Sequence, residues 1–151
     1  MAYERILVPV DGSAASERGL EEALRLAQAL GARITILHVL ENPAVLASPD
    51  MAAYVPQAID DLRVAGQQIA DDAKARADAA GIACEVVLIE TGGKPVYEAI
   101  VGEAKRLGAD LMVLGTHGRR GLARVLMGSD AEGVVREATV PVLLVRGPEA
   151  G

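Results

Sequence analysis

Short apolar runs alternate along this chain with longer amphipathic segments, and this alternation restricts the possible folds more than any other feature. The apolar runs lie at residues 6–10, 34–40, 86–89, 111–114 and 140–145. They are apolar at almost every position rather than at every second one, which is typical of parallel strands that are covered on both faces. Each run therefore predicts a buried strand of a parallel sheet.

Amphipathic patterns fill the intervals between these runs and predict helices. From Leu20 to Leu30, apolar residues recur every three or four positions, and Gly31 follows as a typical residue just beyond a helix end. Similar patterns predict helices over residues 57–80, 95–107 and 130–137. Residues 41–56 are the long irregular piece, which is interpreted either as a mobile cover over a site or as a surface excursion.

Five strands alternating with four helices predict an α/β fold. It is a doubly wound three-layer sandwich, with helices on both faces of a five-stranded parallel sheet. The chain order, together with the rule that ligands bind where the strand order reverses, favours the sheet order 3-2-1-4-5. The 151 residues are expected to form one domain, 1–151.

Composition excludes several classes of function. The formal net charge of −6 has the wrong sign for binding nucleic-acid phosphates. No apolar stretch approaches the roughly 18 residues that cross a bilayer, so no membrane association is expected. The first apolar run is shorter than the roughly 7–15-residue core of a signal peptide, so this run is not expected to act as one. Cys84 is the only cysteine, which excludes an intramolecular disulfide, so the expected location is the cytoplasm.

The carboxyl end of the first predicted strand carries a candidate binding residue. In open α/β sheets, ligands bind beyond the carboxyl ends of the strands, and this strand ends in Pro9-Val10-Asp11. Asp11 can accept hydrogen bonds from an adenine amino group or from ribose hydroxyls, or help to hold a divalent cation. The alternative is that Asp11 or Ser13 only caps the following helix. Both interpretations stay open.

Glycines crowd the segment between the fourth strand and the last helix. Gly115, Gly118, Gly121 and Gly128 all precede Ser129, which opens that helix. Glycines let backbone N–H groups approach a bulky anion, and a helix N-terminus adds donors and partial positive charge. The segment therefore predicts a phosphate site.

Charged residues of this segment support the same interpretation. Arg119, Arg120 and Arg124 can neutralise phosphates in an otherwise acidic chain.

Ser129 has an alternative role, because Ser129 and Glu132 have the spacing of a capping box. A cap requires none of the preceding glycines, which favours phosphate binding. The lysine of the P-loop is missing, and no Gly-x-Gly-x-x-Gly follows the first strand, so P-loop chemistry and dinucleotide-dependent dehydrogenation are disfavoured.

Three separate segments resemble the universal stress proteins, in the same order along the chain. They are residues 6–13 (ILVPVDGS), residues 140–145 (VPVLLV) and the pattern Gly115-x2-Gly118-x9-Gly128-Ser129. The glycine pattern is that of the ATP-binding branch of this family. The resemblance covers nearly the whole chain and implies that the domain binds ATP.

The resemblance also implies roles for individual residues at the adenosine end of the site. Pro9, Val10 and Asp11 would line the adenosine site, and the backbone of Val39, near the end of the second strand, would meet the adenine.

At the phosphate end, the resemblance implies contacts from the glycine-rich segment. Mg²⁺ or Mn²⁺ would bridge the phosphate oxygens. Asp130 follows Ser129 and places a carboxylate beside the phosphates, where it either coordinates the metal or weakens binding by repulsion. The residues expected to hold ribose and phosphates are Gly115, Gly118, Arg119, Gly128, Ser129 and Asp130.

Three functions are compatible with these features. The favoured one is a nucleotide-dependent sensor or regulator of a stress response, in which ATP orders residues 115–128 and an unidentified protein partner recognises the ordered state. The second is a slow ATP-hydrolysing enzyme, for which only Asp11 and His117 are candidate bases. The third is a partner-binding module without nucleotide, against which the intact glycine pattern counts.

His38 is expected to be a packed core residue, and Cys84 is expected to be an inert thiol.

The last predicted strand indicates self-association. The order 3-2-1-4-5 leaves the run from Val140 to Val145 at a sheet edge, where Pro141 is tolerated. An exposed apolar edge invites pairing with another strand. A homodimer through this strand is therefore expected, and the family resemblance implies the same.

Overall fold

The computed structural model describes residues 2–41, 49–116 and 129–147, in which strands and helices alternate. The strands are β1 (Arg5–Pro9), β2 (Arg33–Leu40), β3 (Cys84–Glu90), β4 (Leu111–Thr116) and β5 (Val142–Arg146). The α-helices are α1 (Ala14–Leu30), α2 (Val55–Ala79), α3 (Val96–Leu107) and α4 (Ser129–Glu137). A 3₁₀ helix over Pro49–Tyr54 precedes α2.

The strands form one parallel sheet in the order β3-β2-β1-β4-β5, which confirms the predicted fold class and sheet order. The chain builds outward from β1 to β3 and then returns to place β4 on the other side of β1. The strand order therefore reverses between β1 and β4. Helix α1, which follows β1, packs on one face of the sheet, and α4, which follows β4 in the described structure, packs on the other. A crevice lies between the starts of these helices, at the carboxyl ends of β1 and β4.

Each face of the sheet has its own apolar core. Ile6 lies in the core shared with α1 and α2, and its neighbour Leu7 lies in the opposite core with Ile100 of α3 and Val134 of α4. Successive residues of a strand point to opposite faces, so a strand that is buried on both sides is apolar at every position. Among the described helices, none is long and apolar enough to cross a membrane.

Most element boundaries differ from the predicted ones by one or two residues; β3, for example, spans Cys84–Glu90 rather than residues 86–89. Strand β5 begins at Val142 because Pro141 has no N–H for the ladder, although the Pro141 carbonyl accepts a hydrogen bond from Met112 N–H at 3.0 Å. In the long segment predicted to be irregular, residues 49–54 form the 3₁₀ helix, and residues 42–48 lie outside the described ranges.

Candidate functional site

The crevice between β1 and β4 is the candidate site. Its cavity is about 220 Å³ and is bounded by the carboxyl ends of β1, β2 and β4 and by the starts of α1, α3 and α4. The described residues that line it are Pro9, Val10, Asp11, Ser13, Ala15, Ser16, Leu37, Val39, Glu41, Val96, Ile100, Leu114, Gly115, Ser129, Asp130 and Ala131.

Most of the residues that the sequence analysis associated with ATP meet in this crevice. Those that line it are Pro9, Val10, Asp11, Val39, Gly115, Ser129 and Asp130. Gly118, Arg119 and Gly128 lie outside the described residues, as do His117, Arg120 and Arg124. The fold thus brings the ends of the first, second and fourth strands together with the start of the last helix.

The turn between β1 and α1 positions Asp11. Its Oδ1 accepts a hydrogen bond from Ser13 N–H at 2.8 Å, and its own N–H donates to Ser16 Oγ at 3.3 Å. Gly12 has a φ of +81°, a conformation that glycine adopts without strain. Ser13 is the N-cap of α1, and its hydroxyl accepts from Ser16 N–H at 3.1 Å. The capping interpretation is correct for Ser13, whereas Asp11 supports the turn and also lines the crevice.

A close contact between β4 and α1 brings the start of α1 to the crevice. A Cβ atom on Gly115 would lie 1.8 Å from the Ala15 carbonyl oxygen, and one on Gly19 would lie 2.7 Å from Gly115 N. Real Cβ atoms essentially never come within 3.0 Å of such atoms, so only glycine fits at both positions. Gly115 therefore has a packing role that the sequence pattern did not reveal.

A contact with α3 sets the direction of α4. The Tyr97 ring packs against Gly133, where a Cβ atom would lie 2.3 Å from Tyr97 Cγ. The Arg136 guanidinium lies 5.6 Å from the centroid of the same ring, within the range of a cation–π interaction. These contacts hold the middle of α4, and its first residues, Ser129 and Asp130, line the crevice.

The electrostatics of the crevice combine helix starts with carboxylates. A helix N-terminus carries roughly half a positive charge and unpaired N–H groups, and α1, α3 and α4 all begin here. The described lining includes the acidic residues Asp11, Glu41 and Asp130 but no Lys or Arg. In the three described ranges, no cluster of three or more His, Cys, Asp or Glu residues could hold a metal ion. A polyanion in this crevice therefore needs cations from outside the described lining.

The apolar wall of the crevice and one of its acidic residues were not predicted from the sequence. The wall includes Leu37, Ile100 and Leu114. These residues lie inside predicted strands or helices, so their pattern is that of ordinary core residues. Glu41 was identifiable in principle, because it directly follows β2 at the carboxyl edge of the sheet.

The sequence predicts that His38 is a packed core residue and that Cys84 is an inert thiol. His38 is buried in β2, as predicted. Burial raises the pKa of the Cys84 thiol to about 11. The thiolate is the nucleophilic form, so little of the reactive species exists at neutral pH.

Comparisons with known proteins point to one family. The family model described as the universal stress protein family matches residues 2–146. Universal stress protein YxiE of Bacillus subtilis is 35% identical over 150 residues, which cover 95% of this chain and 99% of that protein. A crystal structure from this family in Burkholderia pseudomallei has a TM-score of 0.79 and 31% identity, covering 95% of this chain and 96% of the other. A universal stress protein crystallised in complex with cAMP has a TM-score of 0.66 and 28% identity, covering 98% and 100%.

Proposed function

The chain belongs to the universal stress protein family, and from this premise we propose that it is an ATP-binding protein of the stress response. It acts as a nucleotide-dependent sensor or regulator in the cytoplasm. The observation that carries the proposal is the crevice, in which the residues expected at the adenosine end line one cavity together with Gly115, Ser129 and Asp130 of the phosphate end. The family member that binds cAMP supports an adenine nucleotide as the ligand.

At the adenosine end, aliphatic side chains replace aromatic stacking. The chain has no Phe and no Trp, and Leu37, Val39 and Ile100 supply an apolar wall for the purine. Asp11 accepts hydrogen bonds from ribose hydroxyls or the adenine amino group, since the two oxygens of a carboxylate together offer about four acceptor positions and Ser13 N–H uses one of them. The Val39 backbone meets the edge of the adenine.

At the phosphate end, the start of α4 provides the attraction for an anion. Backbone N–H groups at Ser129 and Asp130 face the triphosphate, and the helix dipole favours its charge. Three carboxylates in the described lining oppose that charge. The proposal therefore includes Arg119 and a Mg²⁺ or Mn²⁺ ion, whose ligands are mainly phosphate oxygens with Asp130 as the nearby carboxylate.

Calorimetric titration of the purified protein with ATP and Mg²⁺ tests the proposal. Binding by wild type is expected, and Asp11→Ala should weaken it by about 1.5–3 kcal/mol, the scale of a hydrogen bond to a charged group. Asp72→Ala is the matched control, because Asp72 is exposed on α2, does not line the crevice, and accepts a hydrogen bond from Gln68 Nε2 at 2.7 Å. Nucleotide-free wild type should first be prepared, with released material identified by chromatography.

Three results would contradict the proposal or a part of it. An absence of binding to ATP, ADP and AMP by wild type would remove the nucleotide site and favour a partner-binding module. Steady phosphate release that disappears in Asp11→Ala would instead indicate a slow ATPase. Equal loss of affinity in Asp11→Ala and Asp72→Ala would show that Asp11 has no specific part in binding.

The proposal also includes a homodimer through β5, the strand within the run from Val140 to Val145. Strand β5 lies at an edge of the sheet. Met112 N–H donates to the carbonyl of Pro141, so odd-numbered residues of β5 pair with β4. Even-numbered residues, including Val142, direct their backbone groups away from the sheet. A two-fold mate would satisfy these groups and cover the apolar edge.

A further inference from the structure

We propose that His38 is a positioning residue for adenine recognition, through its bond to the carbonyl of Val10. That bond keeps the Val10 carbonyl from pairing with the N–H of Val39, which is thereby left for an acceptor nitrogen of the bound purine. The inference rests on the proposed function and deepens it, because it assigns the groups by which the site would select adenine.

The register of β1 and β2 shows where the Val39 N–H points. Arg33 N–H donates to the Glu4 carbonyl at 3.0 Å, and Val10 N–H donates to the Leu37 carbonyl at 2.8 Å. In a parallel ladder, alternate residues of a strand bond the same neighbour. Odd-numbered residues of β2 therefore face β1, and the next donor in this series is Val39 N–H, aimed at the Val10 carbonyl.

His38 takes the place of that donor. Its Nδ1 lies 2.7 Å from the Val10 carbonyl oxygen in a buried hydrogen bond, and among the described residues no bond joins Val39 N–H to Val10. A carbonyl oxygen only accepts, so Nδ1 must carry the proton. The ladder is thus interrupted one step after β1 ends, at a residue that lines the crevice.

Helix α2 holds the imidazole in this position. Gly66 packs directly on the ring, and a Cβ atom there would lie 2.6 Å from His38 Cδ2 and 2.9 Å from Nε2. A glycine inside a helix destabilises it relative to alanine, because glycine loses more conformational freedom on folding. The ring needs the space that a side chain at Gly66 would fill, which accounts for a glycine inside α2. Helix α2 and His38 together therefore determine where the β1–β2 ladder ends.

The arrangement has a consequence for ligand choice. An N–H donor at Val39 suits N1 of adenine, which accepts, and opposes N1 of hypoxanthine, which carries a hydrogen. If His38 is replaced by leucine, the buried Val10 carbonyl loses its donor, and Val39 N–H is the nearest backbone group able to replace it. Val39 N–H then forms a hydrogen bond within the protein and is no longer available to the purine. Discrimination between AMP and IMP should therefore fall.

The experiment compares AMP and IMP affinities by calorimetry in wild type and three variants. Wild type should prefer AMP, and His38→Leu should lower AMP affinity about 3- to 10-fold with IMP affinity almost unchanged. His38→Asn should keep the preference, because its amide nitrogen can donate from nearly the position of Nδ1. Gly66→Ala, which displaces the ring, should act like His38→Leu if His38→Leu folds poorly.

A measurement on the ligand-free protein tests the contact itself. Nitrogen-15 NMR of the His38 ring should show the tautomer with the proton on Nδ1. The opposite neutral tautomer would overturn the inference, as would an unchanged AMP-to-IMP ratio in His38→Leu or equal losses in His38→Leu and His38→Asn. If wild type binds neither nucleotide, the proposed function fails and this inference fails with it. If wild type binds AMP but the ratio does not respond to His38, only this inference fails.

Discussion

Gly115→Ala should destabilise the fold through the contact between β4 and α1. The new Cβ would lie 1.8 Å from the Ala15 carbonyl oxygen, which belongs to the backbone and cannot rotate away. A close carbon–oxygen contact is about 3.3 Å, so the two elements must separate by about 1.5 Å. The φ of Gly115 is not positive, so the penalty comes from this contact and not from backbone strain.

The size of the effect follows from the rigidity of both partners. Overpacking in a core typically costs about 1–3 kcal/mol, and a backbone obstacle places this site at or above the upper value. A loss of about 3 kcal/mol would lower the Tm by roughly 6–12 °C for a chain of this length. Urea denaturation gives the free energy of unfolding, and a thermal melt without nucleotide gives the Tm.

Gly102→Ala is the matched control for this prediction. Gly102 lies on an exposed part of α3, and a Cβ atom there meets nothing within 4 Å. Alanine is a better helix former than glycine, so Gly102→Ala should stabilise the protein by about 0.5–1 kcal/mol. A Gly115→Ala protein within about 0.5 kcal/mol of wild type, the range of a neutral surface substitution, would refute the reasoning.

Three further expectations address other parts of the molecule. Because burial raises the Cys84 pKa to about 11, its reaction with a disulfide reagent at pH 8 should be much slower than in the urea-unfolded chain and should accelerate as the pH rises; equal rates at pH 8 would contradict this. Gly128→Val should abolish ATP binding without loss of Tm, measured by calorimetry and melting, and unchanged affinity would place the phosphate site elsewhere. Sedimentation equilibrium should give about twice the 15.7 kDa chain mass. Val142→Pro with Arg146→Pro, which removes N–H groups directed away from β4, should shift the protein towards monomer, and a dimer indifferent to both would exclude β5 as the interface.

Local patterns were sufficient to predict the fold and the edge of the sheet at which the crevice opens. The apolar runs predicted the strands, since burial on both faces favours apolar residues at nearly every position. The alternation with helices, combined with the rule for switch points, predicted the strand order. Because the carboxyl ends of parallel strands share one edge of a sheet, the location of Asp11 and Val39 beside the start of α4 also followed from the order of the chain.

Contacts between distant segments were outside the reach of the sequence. Gly115 was interpreted only as part of a phosphate pattern, and its contact with Ala15 became evident when α1 was packed on β4. His38 was correctly predicted to be buried, but its bond to Val10 joins residues 28 positions apart. Hydrophobic periodicity is a property of neighbouring residues and records which face is buried. The contact of Gly115 with Ala15 and the bond of His38 to Val10 depend on how closely two elements approach each other. Only the packed tertiary structure determines that distance.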